Sequence, residues 1–121
     1  MMQGKRAACM IKDGERIICV EPSLPILRVL GKKYSVLILG VIGNEAGKRN
    51  FNEILRDVPG SSSTIVSKRL KELQDSGLVR RIDNGAVTYE LTDLGKRIRK
   101  VLLPFFSLIE GEGSGHSRTN L

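Results

Sequence analysis

Between Ser61 and Arg81 the chain reads SSSTIVSKRLKELQDSGLVRR, a run of hydroxyls, then lysines, then paired arginines. These side chains make no bonds by themselves, but in this order they suit the recognition of anions. Ser62, Ser63 and Thr64 fall at a predicted helix start, where unpaired backbone N–H groups and the positive end of the helix dipole attract phosphates. Ser67, Lys68 and Lys71 follow on the exposed side, with cations long enough to reach base edges or the opposite backbone of a duplex. Arg80 and Arg81 come after Gly77, whose sharp exit would let them lie along a neighbouring backbone or minor groove. Catalytic patterns are missing: there is no Gly-rich phosphate loop, no carboxylate pair in an apolar setting, and no Cys or Ser with a plausible histidine. The two cysteines, Cys9 and Cys19, and the lone His116 fall short of the ligand set of a structural zinc site. No enzyme activity, metal or cofactor is therefore expected. Both cysteines read as reduced, half-buried small hydrophobes, with a redox or electrophile sensor as the alternative reading.

Composition agrees with an acidic partner. The 121 residues suit one domain, and a net charge of +7 with 27% charged residues favours nucleic acid or an anionic membrane. No apolar run approaches the ~18–20 residues of a spanning helix, and the stretch from Tyr34 to Ile42 is short and contains Gly40. The N-terminus MMQGKRAACMIKDGER lacks the continuous apolar core of a signal peptide, so a cytoplasmic location is expected.

The elements that must position the anion-binding residues follow from periodicity and breakers. Residues 8–20 read as a β-hairpin around Asp13-Gly14. A two-residue turn there sets Cys9 opposite Ile18 and Cys19 opposite Ala8, against a disulfide; a three-residue loop would set Cys9 across from Cys19. A short helix over 24–30 has Pro25 at its start and ends at Gly31, and a largely buried helix is predicted over 32–42. Residues 50–58 carry Phe51, Ile54 and Leu55 at helical spacing and stop at Pro59-Gly60. In the next helix Val66, Leu70 and Leu73 recur at i, i+4 and i+7 with Ile65 beside them, so Thr64, Lys68, Lys71 and Asp75 face outward. Two strands, 78–82 and 87–91, flank an Asn84-Gly85 turn whose two-residue form pairs Ile82 with Val87 and Arg80 with Tyr89. Thr92 caps a last helix, kinked at Pro104, with an apolar stripe of Leu94, Ile98, Val101, Leu102, Phe105 and Ile109. Its other side is basic, through Lys96, Arg97, Arg99 and Lys100.

Helix, Pro-Gly turn, capped helix and basic hairpin is the order of a winged helix-turn-helix, an α+β fold with a small antiparallel wing. The run FNEILRDVPGSSSTIVSKRLKELQDSGLVRRIDNGAVTYELTDLGKRI also resembles the HxlR-type winged-helix transcriptional regulators of bacteria and archaea, and GKKYSVLIL resembles that family's GGKW and following apolar helix. Tyr34 stands where the family pattern has Trp, and Asn50 where it commonly has Arg, with Lys48 or Arg49 as the substitute phosphate contact. The wing lacks the family's Pro-containing tip, and Cys19-Val20 replaces a Cys-Pro pair nearer the first helix. The resemblance implies a homodimer that binds double-stranded DNA and joins through terminal helices.

The expected organisation is an N-terminal hairpin arm over 1–21, a winged-helix domain with a C-terminal dimerisation helix over 22–110, and a disordered tail over 111–121. Two-fold symmetry implies an inverted-repeat operator, read by the Ser62 to Lys71 face with Lys48, Arg49, Arg80, Arg81 and Asn84 on the backbone and wing. The alternative is a winged-helix protein-interaction module of transcription or replication machinery. A single-strand or RNA binder would need exposed aromatics for stacking, and aromatics are only 4% of the chain.

Overall fold

Val66, Leu70 and Leu73 lie at the centre of the core, buried against Ile38, Leu39 and Ile42 of one neighbouring helix and Ile54 of another. In the computed structural model, which describes residues 9–44 and 48–112, ten elements surround this cluster. They run β1 Cys9–Asp13, β2 Arg16–Val20, α1 Pro25–Leu30, α2 Ser35–Ile42, β3 Lys48–Arg49, α3 Phe51–Asp57, α4 Ser63–Asp75, β4 Val79–Asp83, β5 Val87–Leu91 and α5 Asp93–Ile109. β1 and β2 form an antiparallel hairpin, and β3, β5 and β4 form a second antiparallel sheet in that order. The arrangement is the α+β winged helix expected, with α3 and α4 as the helix-turn-helix and β4–β5 as the wing. Residues 113–121, including His116 and most of the tail expected to be disordered, lie outside the described residues.

Caps explain most boundaries. The Asn50 side chain accepts from the Glu53 N–H at 2.8 Å while Glu53 accepts from the Asn50 N–H at 2.9 Å, a reciprocal box that starts α3. Asn50 is thus committed to capping. α4 ends in a Schellman pattern: the Leu78 N–H donates to the Leu73 carbonyl and the Gly77 N–H to the Gln74 carbonyl, each at 3.0 Å. Thr92 then ties the end of α4 to the start of α5, because its hydroxyl accepts from the Gly95 N–H at 3.0 Å and donates to the Gly77 carbonyl at 2.6 Å. α5 continues through Pro104 as far as Ile109.

Four local expectations are corrected. α2 starts at Ser35 rather than Lys32, because Tyr34 adopts a left-handed φ of 75° and cannot continue a helix from the preceding turn. β3 was not expected; two residues are too short to carry a periodic signal, and their strand character comes only from pairing Lys48 with Glu90 and Arg49 with Tyr89. The N-terminal turn is Gly14-Glu15, not Asp13-Gly14, so Asp13 pairs with Arg16, Met10 with Cys19 and Cys9 with Val20. Positive φ occurs at Gly14 (64°) and not at Glu15, the pattern of a turn with glycine first. Cys9 and Cys19 are therefore not across from each other, and Cys19 is a free thiol.

The wing register is the fourth. The loop has three residues, Asn84 to Ala86, which pairs Asp83 with Val87, Ile82 with Thr88, Arg81 with Tyr89 and Arg80 with Glu90. A two-residue Asn-Gly turn needs positive φ at both positions, yet only Gly85, at 103°, takes it. The observed register also sets Val79 directly opposite Leu91, both 3% exposed. A one-residue slip would turn one strand's core side chains toward solvent.

The turn at 32–34 is tied to the helix-turn-helix at its turn and along α4. The Tyr34 hydroxyl donates to the Gly60 carbonyl at 2.9 Å, in the turn before α4. Lys32 Nζ meets Glu72 Oε2 at 2.8 Å, and Arg69 Nε donates to the Lys33 carbonyl at 3.0 Å. The Lys32 ammonium holds the Glu72 carboxyl below the usual carboxylate range, with Arg69 adding to the effect. Because that pKa is lowered on folding, the pair's contribution is present at neutral pH and is lost as acid protonates Glu72.

Two substitutions test this architecture. Gly95→Ala places a Cβ against the Leu78 carbonyl at the buried junction of α5 and β4, and should cost about 1–3 kcal/mol in chemical denaturation. Tyr34→Phe keeps the ring and removes the bond to Gly60, so a loss of about 0.5–1.5 kcal/mol is expected from the same measurement.

Candidate nucleic-acid interface

The buried stripe of α4 leaves its opposite face outward, and the hydroxyls and lysines singled out from the sequence lie there. Ser62 is the N-cap, its hydroxyl accepting from the Ile65 N–H at 3.2 Å, so part of its capacity is used inside the helix. Ser63, Thr64, Ser67, Lys68 and Lys71 are all exposed. No acidic residue occupies the first turn of α4, so the positive end of the helix dipole is not neutralised locally. Together with Phe51 at the start of α3, these residues line an open groove of about 820 Å³. Phe51, read from the sequence only as part of the helical spacing of 50–58, packs against the core and also faces this groove, a double role that the spacing does not reveal.

Carboxylates bound the face at its far end. Glu72 and Asp75 close the groove, and Lys71 Nζ lies 3.8 Å from Asp75 Oδ1 with both side chains mostly in solvent. An exposed pair of this kind contributes a few tenths of a kcal/mol at most, so Lys71 can exchange it for a phosphate. Lys68 has no such neighbour among the described residues. Positive charge is thus strongest toward the N-terminal half of α4.

The wing residues sit differently from the expectation. Arg80 is across from Glu90 and contacts it through Nη2 at 3.0 Å and Nε at 3.1 Å. Arg81, across from Tyr89 on the other face of the sheet, lies 3.8 Å from Asp83. Both guanidiniums are about half exposed, but neither is an unopposed outward charge. Lys48 flanks Glu90 from β3, so Glu90 has a cation on each side across three strands. Asn84 is exposed in the wing loop. Arg49 departs furthest: it is 7% exposed, pairs with Asp57, and has Glu53 3.8 Å away. It fastens β3 to α3 and has no guanidinium face left for a backbone phosphate.

The apolar stripe of α5 divides in two. Ile98 and Leu102 pack on the chain's own core, while Leu94, Val101, Phe105 and Ile109 are exposed, Val101 by 68%. Leu103, Phe106 and Leu108 belong to the helix's apolar surface as well, with Leu108 76% exposed and Phe106 half-buried. Cys19 is exposed on the N-terminal hairpin, across from Met10. Among the described residues no helix is long and apolar enough to cross a membrane, and no group of His, Cys, Asp and Glu could hold a metal ion.

Residues 29–114 match the family model described as HxlR-like helix-turn-helix. The HTH-type transcriptional regulator YvaP of Bacillus subtilis is 37% identical over 78 residues, 61% of this chain and 70% of that protein. The crystal structure of a possible HxlR family transcriptional factor from Thermoplasma volcanium superposes with a TM-score of 0.81 at 45% identity, covering 85% of this chain and 94% of the other. The reduced form of the transcriptional regulator YodB from B. subtilis superposes with a TM-score of 0.61 at 28% identity over 70% and 85% of the two chains. With the groove on α4, the paired wing strands and a family match over most of its length, this chain belongs to the HxlR-like helix-turn-helix family of transcriptional regulators.

Proposed function

We propose that the protein is a sequence-specific double-stranded DNA-binding regulator that acts as a homodimer on an inverted-repeat operator. The observation that carries this reading is the outward face of α4, where Ser63, Thr64 and Ser67 lead into Lys68 and Lys71 with no acidic residue in the first turn. Hydroxyls and free N–H groups bind phosphate at the groove edge, and the lysines reach base edges within it. Lys48, Arg80, Arg81 and Asn84 contact the flanking backbone; the two arginines, themselves about half exposed, exchange their carboxylate partners for phosphates. Arg49 is left out because its guanidinium is buried on Asp57.

The dimer rests on α5. Leu94, Val101, Phe105, Leu108 and Ile109 form an apolar strip in water, and a second copy of the strip is its simplest cover. A two-fold axis then sets two α4 helices on one side, about 34–36 Å apart. Cys19 enters the proposal as a thiol sensor, supported by its exposure as a free thiol on the hairpin.

Lys68→Ala or Lys71→Ala should weaken operator binding by about 1–3 kcal/mol and relax sequence preference, measured by fluorescence anisotropy against operator and scrambled duplexes. By contrast, Arg80→Ala or Arg81→Ala should weaken all sequences alike and lower the salt slope by about 1. Unchanged affinity in all four variants contradicts the DNA reading. Val101→Asp should give a folded monomer by sedimentation that loses most operator affinity at physiological salt, whereas an unaltered dimer would remove α5 from the interface. Hydrogen peroxide, which oxidises a lone thiol to the sulfenic acid with release of water, should impair DNA binding of the wild type and spare Cys19→Ser; an equal response of the two excludes Cys19 as the sensor.

A further inference from the structure

α5 and α2 meet along apolar sides without closing on each other. The Phe106 ring lies over Gly40, where an added Cβ would sit 3.2 Å from it. Beside that contact is a recess of about 240 Å³, between Leu37 and Val41 of α2 and Leu103 and Phe106 of α5, with Asn44 and Arg99 at its edge. Leu37 and Leu103 form its rim and are 45% and 42% exposed.

Arg99 gives the recess its chemistry. The guanidinium is half-buried, and its Nε donates to the Gly40 carbonyl at 2.8 Å and its Nη2 to Asn44 Oδ1 at 3.1 Å. Both acceptors are neutral. Two other arginines among the described residues are drawn in from the open surface, and each has a carboxylate: Arg49 has Asp57, and Arg69 has Glu72 at 3.1 Å. Among the described residues only the carbonyls at the end of α2, with about half a charge, offset the guanidinium beside its apolar wall. A cation in that position is costly unless something pairs with it. Its N–H donors exceed the two acceptors that the described residues supply.

We propose that this recess binds a small organic monocarboxylate with an apolar body about the size of one ring. The carboxylate pairs with Arg99, and the body lies between the Leu37 and Leu103 rims. The recess, about 240 Å³ and open to solvent on one side, has room for one ring against its apolar wall. Its place in the fold gives binding a consequence. α2 belongs to the core behind the DNA-facing helix and α5 carries the exposed apolar strip, so the ligand bridges the two and responds to their relative position.

The test is an NMR titration of the isotopically labelled full chain with benzoate, and with benzyl alcohol as the neutral control. No DNA is present, so the outcome is independent of the regulatory reading above. Saturable shifts are expected at the Val41 and Asn44 amides and at Arg99 Nε, with a dissociation constant in the millimolar range or tighter and benzyl alcohol at least about tenfold weaker. Arg99→Gln should abolish the preference for the anion. If that variant fails to fold, Leu37→Trp decides: the position is on the exposed rim, and an indole there should fill the recess and remove benzoate binding from a folded protein. Absence of saturable shifts at about 10 mM benzoate, equal affinity for the neutral control, or shifts confined to the exposed lysines Lys96 and Lys100 would overturn the proposal.

Discussion

The rotation of α4 about its own axis is the constraint on which the rest of the molecule depends. Burying Val66, Leu70 and Leu73 is worth about 1.5–3 kcal/mol for each side chain, whereas the ion pairs on the opposite face are worth tenths. The core therefore sets the rotation, and the exposed hydroxyls and lysines take the orientation that results. Sliding of the helix is opposed separately. Tyr34 holds the Gly60 carbonyl just ahead of α4, and the Lys32–Glu72 and Arg69–Lys33 contacts fasten its later turns to the same short segment. Gly77 and Thr92 then fix where the chain leaves it. A side chain that reads a base edge must be placed to within a fraction of an ångström, and this combination of a buried stripe with polar ties at both ends supplies that placement.

Long, strongly periodic elements were legible in the sequence. The i, i+4, i+7 stripe of α4, the glycine after it and the capping threonine before α5 each have one physical reading, and the structure has them as read. Short elements and registers were not legible, because tertiary pairing decides them. β3 exists only against β5, and the wing register follows from the match of Val79 with Leu91 rather than from the Asn-Gly dipeptide. The same holds for charges. Arg49 reads as a basic surface residue until Asp57, eight positions on, returns to the same place and buries it. Glu90 likewise tempers Arg80 across a strand pair that an incorrect register would not have joined.

α5 carries two kinds of apolar surface, one packed on its own domain and one turned to solvent. Ile98 and Leu102 face inward, Phe106 lies over Gly40 of α2, and Arg99 lies over the end of α2, where Gly43 leaves room for the guanidinium. Leu94, Val101, Phe105 and Leu108 turn away from the core. Because Thr92 bonds to the carbonyl of Gly77, displacement of α5 acts directly on the C-terminal end of α4. The outer strip thus has a short covalent and hydrogen-bonded route to α4.

The central claim is that this chain meets DNA through the outward face of α4. Amide chemical-shift mapping of the full chain against a duplex containing its operator tests it most directly. The largest changes are expected on Ser63, Thr64, Ser67, Lys68 and Lys71, with smaller ones on the wing around Arg80 and Asn84. Changes concentrated on the β1–β2 hairpin or the basic side of α5, with the α4 face unaffected, would contradict it.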